Sequence, residues 1–334
     1  MKTNRPLLIC YVAIVLTVLV IFMGGWTRIM DAGLGCPDWP GCFGQLTAPI
    51  SQQHIDAAQD NFVGVEVDAV KGWIEMVHRY MATTLGLLVM LLVVMAWRRR
   101  RQVGYPVRLS FILLLLVVLQ GVFGMWTVTL KLLPPIVLGH LLGGLLTLTL
   151  LIVLAGKIRA MSNTGHRSSH RSSHRGLMRV AVLILFVQIL LGGWTSANYA
   201  GWACTHWFSC IAGQSTELDF ATGFSFNLEA DQNHQGGTLS QSARAAIQMV
   251  HRAGAVVVSI VILLVGILAL QHRASRRPAS LLLALLIAQL WLGGANVIYG
   301  IPTLLAWLHH VGAVSLLLCL LWLKSCYREE IRYE

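Results

Sequence analysis

Eight stretches of the chain are almost unbroken apolar sequence: roughly 7–26, 73–97, 109–130, 134–156, 177–196, 246–270, 279–300 and 303–323. A helix needs about 20 such residues to cross a bilayer, and every run is close to that length or longer. The pattern predicts an all-α integral membrane protein with eight transmembrane helices. Spans two and six open in amphipathic sequence, so their starts are soft. Span one follows a short basic start, Lys2 and Arg5, which a signal peptide would share. It is long and no small-residue cleavage site follows it, so it reads as a helix that stays.

Composition agrees. Of 334 residues, 56% are hydrophobic and 12% charged, which excludes a disordered chain and disfavours a soluble one. The net charge of +11 would suggest nucleic acid. Its distribution points elsewhere. With the N-terminus inside, 19 of the 25 Lys and Arg fall in inside segments, and 11 of the 14 acidic residues fall outside. This is the positive-inside bias of a membrane protein. The basic stretches Arg98–Arg101 and Arg273–Arg277 are topology signals, and no nucleic-acid partner is expected. The same placement puts both termini in the cytoplasm.

The chain repeats itself once. Gly24-Gly-Trp-Thr-Arg answers Gly192-Gly-Trp-Thr-Ser. Trp26 and Cys36 are spaced as Trp194 and Cys204, and Cys36 and Cys42 as Cys204 and Cys210. His78-Arg79 answers His251-Arg252. Gln120 stands twenty residues before His140, and Gln289 twenty before His309. The prediction is two four-helix halves, 1–160 and 177–334, joined by a basic cytoplasmic linker at 161–176. Each half starts and ends inside, so the repeats are parallel, about an axis near the membrane normal. The linker's His166, His170 and His174 could take a stray metal, but a basic linker is the favoured reading.

Four of the twelve histidines occupy repeat-related positions within spans: His78, His140, His251 and His309. Ionisable residues in a membrane are costly and usually functional. At about 1.5 Å per residue, all four fall within roughly 10 Å of the outer interface. Each half then holds one facing pair on two helices, as bundles do around a cofactor. Two imidazoles in apolar surroundings suit haem iron. Zinc would want more ligands, and a proton relay is the other alternative. The His140-Leu-Leu-Gly-Gly sequence aligns with His309-His-Val-Gly-Ala. That selects His309 and leaves His310 about 100° away around the helix, as an outer donor or a packed residue.

Glu75 precedes His78 by three residues, so both share one helix face. Its counterpart, three before His251, is Gln248. A carboxylate can move a proton or stabilise a developing cation, and an amide cannot. Chemistry is therefore expected in the first half and a fixed cofactor in the second. The plainer alternative is that Glu75 pairs with Arg79. The cysteine pairs Cys36/Cys42 and Cys204/Cys210 sit in outside loops, where disulfides persist in an oxidising compartment. The first pair reads equally as a loop staple or a redox-active pair. The second reads as a staple. Cys10, Cys319 and Cys326 are expected to stand outside disulfides.

The segments GGWTRIMDAGLGCPDWPGC, EMVHR, HLLGG, QMVHR and LHHVGA together resemble the haem A synthase family, over nearly the whole chain. The resemblance implies oxidation of a ring methyl of haem O to the formyl of haem A by successive hydroxylations, for haem-copper oxidases. It implies haem O between His78 and His140 and haem b between His251 and His309. It matches Glu75 to the family's catalytic glutamate and Cys36 and Cys42 to its first-loop pair. Implied partners are a haem O synthase as donor, oxidase assembly as acceptor, membrane lipid and an electron partner of unknown identity. A homo-oligomer is permitted by Gly24-Gly25 and Gly192-Gly193. The expected place is a bacterial inner membrane, with the cysteine loops periplasmic. Two other functions share the four histidines: a dihaem cytochrome b exchanging electrons with quinone, and a haem carrier without chemistry. The first does not account for the Glu75/Gln248 difference or the outer cysteine pairs, and the second predicts reversible haem loading and no modified product.

Overall fold

A computed structural model describes residues 5–162, 175–206, 210 and 217–329. Its helices, in order, are α1 (Arg5–Ile29), α2 (Gln52–Asn61), α3 (Ala69–Arg98), α4 (Val107–Thr129), α5 (Pro134–Ser162), α6 (Arg175–Ala197), α7 (Phe220–Gly223), α8 (Gln241–Leu270), α9 (Arg276–Ile298) and α10 (Thr303–Glu329). All except the short α2 and α7 are long and apolar enough to cross a bilayer. The chain is a multi-pass, all-helical membrane protein. The three linker histidines, His166, His170 and His174, lie outside the described residues.

The soft starts resolve through capping. α3 begins four residues ahead of its apolar run because the Asp68 side chain accepts a hydrogen bond from the Lys71 N–H at 3.0 Å. α8 begins five residues early, where Ser240 accepts from the Ala243 N–H at 3.3 Å. A capping oxygen satisfies a helix-end donor that has no partner in its own helix, so a polar first turn is stable ahead of the apolar body. The polar α2 is capped by Ser51 in the same way. Hydropathy alone could not reveal it.

The chain forms two compact units. The first comprises Met1–Thr164 with Leu228–Gln235, and the second Gly165–Asn227 with Gly236–Glu334. In the first, α1 packs on α3, α3 on α4, α4 on α5 and α5 back on α1, closing a four-helix ring. The second closes likewise through α6, α8, α9 and α10. The first ring is filled at one end by Cys10, Ala13, Val89, Leu92, Leu113 and Leu154. This core starts about two turns along α3 from His78. Leu8, Val12, Val15 and Leu19 on α1, and Val256, Ile260, Leu263 and Ile267 on α8, are exposed. Such large apolar stripes are what lipid covers in a membrane protein.

The turn before each second histidine is built twice alike. Lys131 and Leu132 precede α5 at φ 47° and 62°, and Gly300 and Ile301 precede α10 at φ 69° and 60°. The Leu132 N–H donates to the Thr127 carbonyl and the Ile301 N–H to the Asn296 carbonyl, each at 2.8 Å. This is a Schellman-type close, which ties off carbonyls left bare at a helix end. It holds bulky residues in a left-handed conformation that they seldom adopt. Leu228–Gln235 lies against the first of these turns: the His234 N–H donates to the Lys131 carbonyl at 3.1 Å, and Lys131 Nζ to the Asp231 carbonyl at 3.1 Å.

Candidate functional site

His78 on α3 and His140 on α5 face each other in the first unit, ring centres 6.4 Å apart and planes at 79°. His251 on α8 and His309 on α10 lie within electrostatic reach of one another in the second. All four residues are half-buried. Each ring edge rests on a glycine of the preceding long helix. An added Cβ would come within 3.0 Å of His78 Cε1 at Gly24, 3.1 Å of His251 Cε1 at Gly192, 3.1 Å of His309 Cε1 at Gly293 and 3.5 Å of His140 Cε1 at Gly124. The first three distances are tighter than ordinary contact. Those glycines therefore let the helices approach closely enough for the rings to reach their places.

Glu75 is 4% exposed and lies one turn before His78 on α3. The Cys36 N–H donates to its Oε2 at 3.0 Å, and Arg79 Nη2 donates to its Oε1. The loop is brought there by close backbone approach. A Cβ on Gly35 would collide with the Lys71 carbonyl group, and one on Gly72 would come 3.1 Å from Ala48 Cβ. Arg79 then braces the loop from below: its Nη1 donates to the carbonyls of Asp38 at 3.0 Å and Gly41 at 2.5 Å. Asp38 closes the turn by accepting from the Phe43 and Gly44 N–H groups at 2.6 and 2.9 Å. Cys36 and Cys42 are joined by a disulfide, with both cysteines wholly buried. The two readings of Glu75 are thus compatible: it pairs with Arg79 and also stands beside His78.

The second unit repeats the frame with one change. Cys204 and Cys210 form a disulfide, and Arg252 donates to the carbonyls of His206 at 2.6 Å and Cys204 at 3.0 Å. Gln248, 5% exposed, takes the place of Glu75. Its Nε2 donates to the Gly201 carbonyl at 2.8 Å. The helix residue accepts from the loop in one unit and donates to it in the other. Cys10 and Cys319 are buried and outside disulfides.

The paired rings fit an iron held between two imidazoles. A metal–imidazole bond is about 2 Å and a ring centre lies on the order of 1 Å behind its nitrogen, so two rings across one metal stand roughly 6 Å apart. His78 and His140 are at that separation. Among the described residues no three of His, Cys, Asp or Glu cluster as a protein-only metal site would need. The rings of His78, His140 and His309 each have a backbone hydrogen-bonding neighbour on the preceding long helix, at Val20, Gln120 and Gln289. An imidazole that binds iron through one nitrogen is oriented by such a contact at the other.

Sequence reasoning picked out the histidines, Glu75 and the cysteines but gave no role to three glutamines. Gln188 Nε2 donates to the His251 carbonyl and Gln289 Nε2 to the His309 carbonyl, both at 3.0 Å. The side chain of Gln120 reaches the space over Gly143, on the helix of His140. The twenty-residue spacing that Gln120 and Gln289 share was a signal for two of them.

Comparison with known proteins shows what the whole chain resembles. The model of the COX15-CtaA family, described as cytochrome oxidase assembly protein, matches residues 8–321. A protein of Shewanella oneidensis named heme A synthase is 38% identical over 94% of this chain and 96% of its own length. Proteins of the same name from Sphingopyxis alaskensis and a Caulobacter species are each 28% identical. They cover 90% and 94% of this chain, and 85% and 94% of their own lengths.

Proposed function

The chain belongs to the COX15-CtaA family of cytochrome oxidase assembly proteins, and on that premise we propose that it oxidises the ring methyl of haem O to the formyl of haem A by successive hydroxylations. The single observation that carries the reading is the buried Glu75 carboxylate, one turn from His78, where the second unit has the amide of Gln248.

The division of labour follows. His78 and His140 receive the substrate in the first unit, and His251 and His309 hold haem b in the second. When bound, haem b would supply one-electron redox chemistry. Glu75 takes up or relays the proton lost as the methyl carbon is oxidised, and its charge favours a developing cation. Arg79 and the Cys36 N–H hold both carboxylate oxygens in place for that task. A buried disulfide is poorly reached by a thiol partner. We therefore read Cys36–Cys42 as the clamp that keeps the Cys36 N–H on Glu75, and Cys204–Cys210 as a staple.

The charge distribution supports an orientation with both termini inside and both cysteine loops outside, which we read as cytoplasm and periplasm across a bacterial inner membrane. Haem O would come from a haem O synthase through the lipid, and the product would pass to oxidase assembly. The test is expression with a haem O synthase in a host lacking haem A, followed by extraction and mass-resolved chromatography of the haems. Haem A, or its hydroxylated precursor, beside haem b is the expected result. Haem O unchanged beside haem b would overturn the reading in favour of an electron-transfer cytochrome or carrier.

A further inference from the structure

Both paired histidines of the second unit share a holding device, and His78 in the first unit lacks it. On α6 the Gln188 amide donates to the His251 carbonyl at 3.0 Å and lies 3.1 Å from His251 Nδ1. On α9 the Gln289 amide donates to the His309 carbonyl at 3.0 Å and lies 3.4 Å from His309 Nε2. Each amide occupies a slot left by a glycine three residues after the histidine. A Cβ on Gly254 or Gly312 would overlap the Gln188 or Gln289 side chain. In the first unit Gly143 follows His140 by three residues, and the Gln120 amide fills the same slot. Each glutamine also stands four residues before the glycine on which the ring rests: Gly192, Gly293 and Gly124.

At His78 the ring glycine, Gly24, is kept, but both halves of the clamp are gone. Val20 stands where the glutamine would be and Met81 where the slot glycine would be. Neither side chain can donate a hydrogen bond. An amide that engages both the main chain and the ring of a histidine restrains the ring against turning. His78 has no such amide, and its ring has the Val20 backbone as its hydrogen-bonding neighbour instead.

We propose that Gln188 and Gln289 are positioning residues that lock His251 and His309, and that His78, which has neither the amide nor the slot glycine, is the ligand that turns aside, so that haem enters and leaves the first unit on its side. The proposal rests on the reading of the paired histidines as haem ligands. It also gives a chemical sense to the asymmetry, since a substrate must be exchanged at each turnover and a resident cofactor must not.

Carbon monoxide tests it on the haem-loaded, dithionite-reduced protein. A ferrous iron with two imidazoles takes carbon monoxide only after one imidazole leaves, so the binding rate reads ligand release. The first unit is loaded with haem A, whose ring-conjugated formyl group shifts its absorption bands away from those of haem b. The haem of the first unit should react at least about tenfold faster than that of the second, the factor one net hydrogen bond is worth. Installing the clamp with Val20→Gln and Met81→Gly should slow the first by about tenfold, whereas Met81→Gly alone should not. Gln188→Leu should speed the second by a similar factor, and it carries the test if the double variant does not load. Equal rates in both units, or rates that ignore Gln188→Leu, overturn the proposal while leaving the haem-ligand reading intact. A wild-type spectrum without paired imidazoles, or haem content unmoved by His78→Ala and His251→Ala, overturns both.

Discussion

The two units contain the same frame with opposite polarity at one residue. In each, a disulfide-closed loop sits on the start of a helix, and an arginine on the helix donates to the loop's carbonyls. In the first the loop gives an N–H to the Glu75 carboxylate; in the second it takes the amide hydrogen of Gln248 on the Gly201 carbonyl. Both arrangements satisfy a buried side chain, so folding does not choose between them. Only one leaves an ionisable group a turn from a histidine. The scaffold is present in both units and the ionisable group in one.

The comparison can be broken most severely at the histidines. His78→Ala or His140→Ala should remove the first unit's haem and spare the second's, and His251→Ala should do the reverse. Extracted haem per protein measures this, and loss of both haems from any one variant would argue against separate sites. Next come the disulfides. Cys36→Ser with Cys42→Ser removes a cross-link worth about 2–3 kcal/mol and also loosens the N–H on Glu75. Product yield should fall further than thermal stability explains. Cys204→Ser with Cys210→Ser should cost similar stability but much less product at matched haem content. Smallest are the ring glycines. Gly24→Ala and Gly192→Ala place a Cβ 3.0–3.1 Å from a histidine ring and should cost about 1–3 kcal/mol, with a shifted haem spectrum. Gly124→Ala meets His140 at 3.5 Å and should be nearly silent. Thermal melts and absorption spectra of the three variants would show whether that order holds.

Much of this was legible in the chain. Eight apolar runs sufficed for eight helices, because lipid leaves a spanning segment little alternative to a helix. The repeat exposed the histidines because side chains that face each other across two helices must keep their depth. Glu75 stood out only by comparison with Gln248. What stayed hidden depended on pairing across helices. The bond between Cys36 and Glu75 spans 39 residues. The 63 residues between Gln188 and His251 hid a clamp that the shorter spacing of Gln289 and His309 half revealed. The docking of Leu228–Gln235 on the α4–α5 turn joins Lys131 to Asp231 and His234 about 100 residues on, through main-chain groups that side-chain patterns do not encode.

The central claim is that one carboxylate separates the reacting half from the holding half. Its most direct test is the haem content of Glu75→Gln, with the chain supplied with haem O and its extracted haems separated by mass. Loss of one proton-handling group should cut product by roughly a hundredfold or more. Haem b should stay at the wild-type level, with unreacted haem O accumulating. Undiminished haem A from that variant would contradict the account.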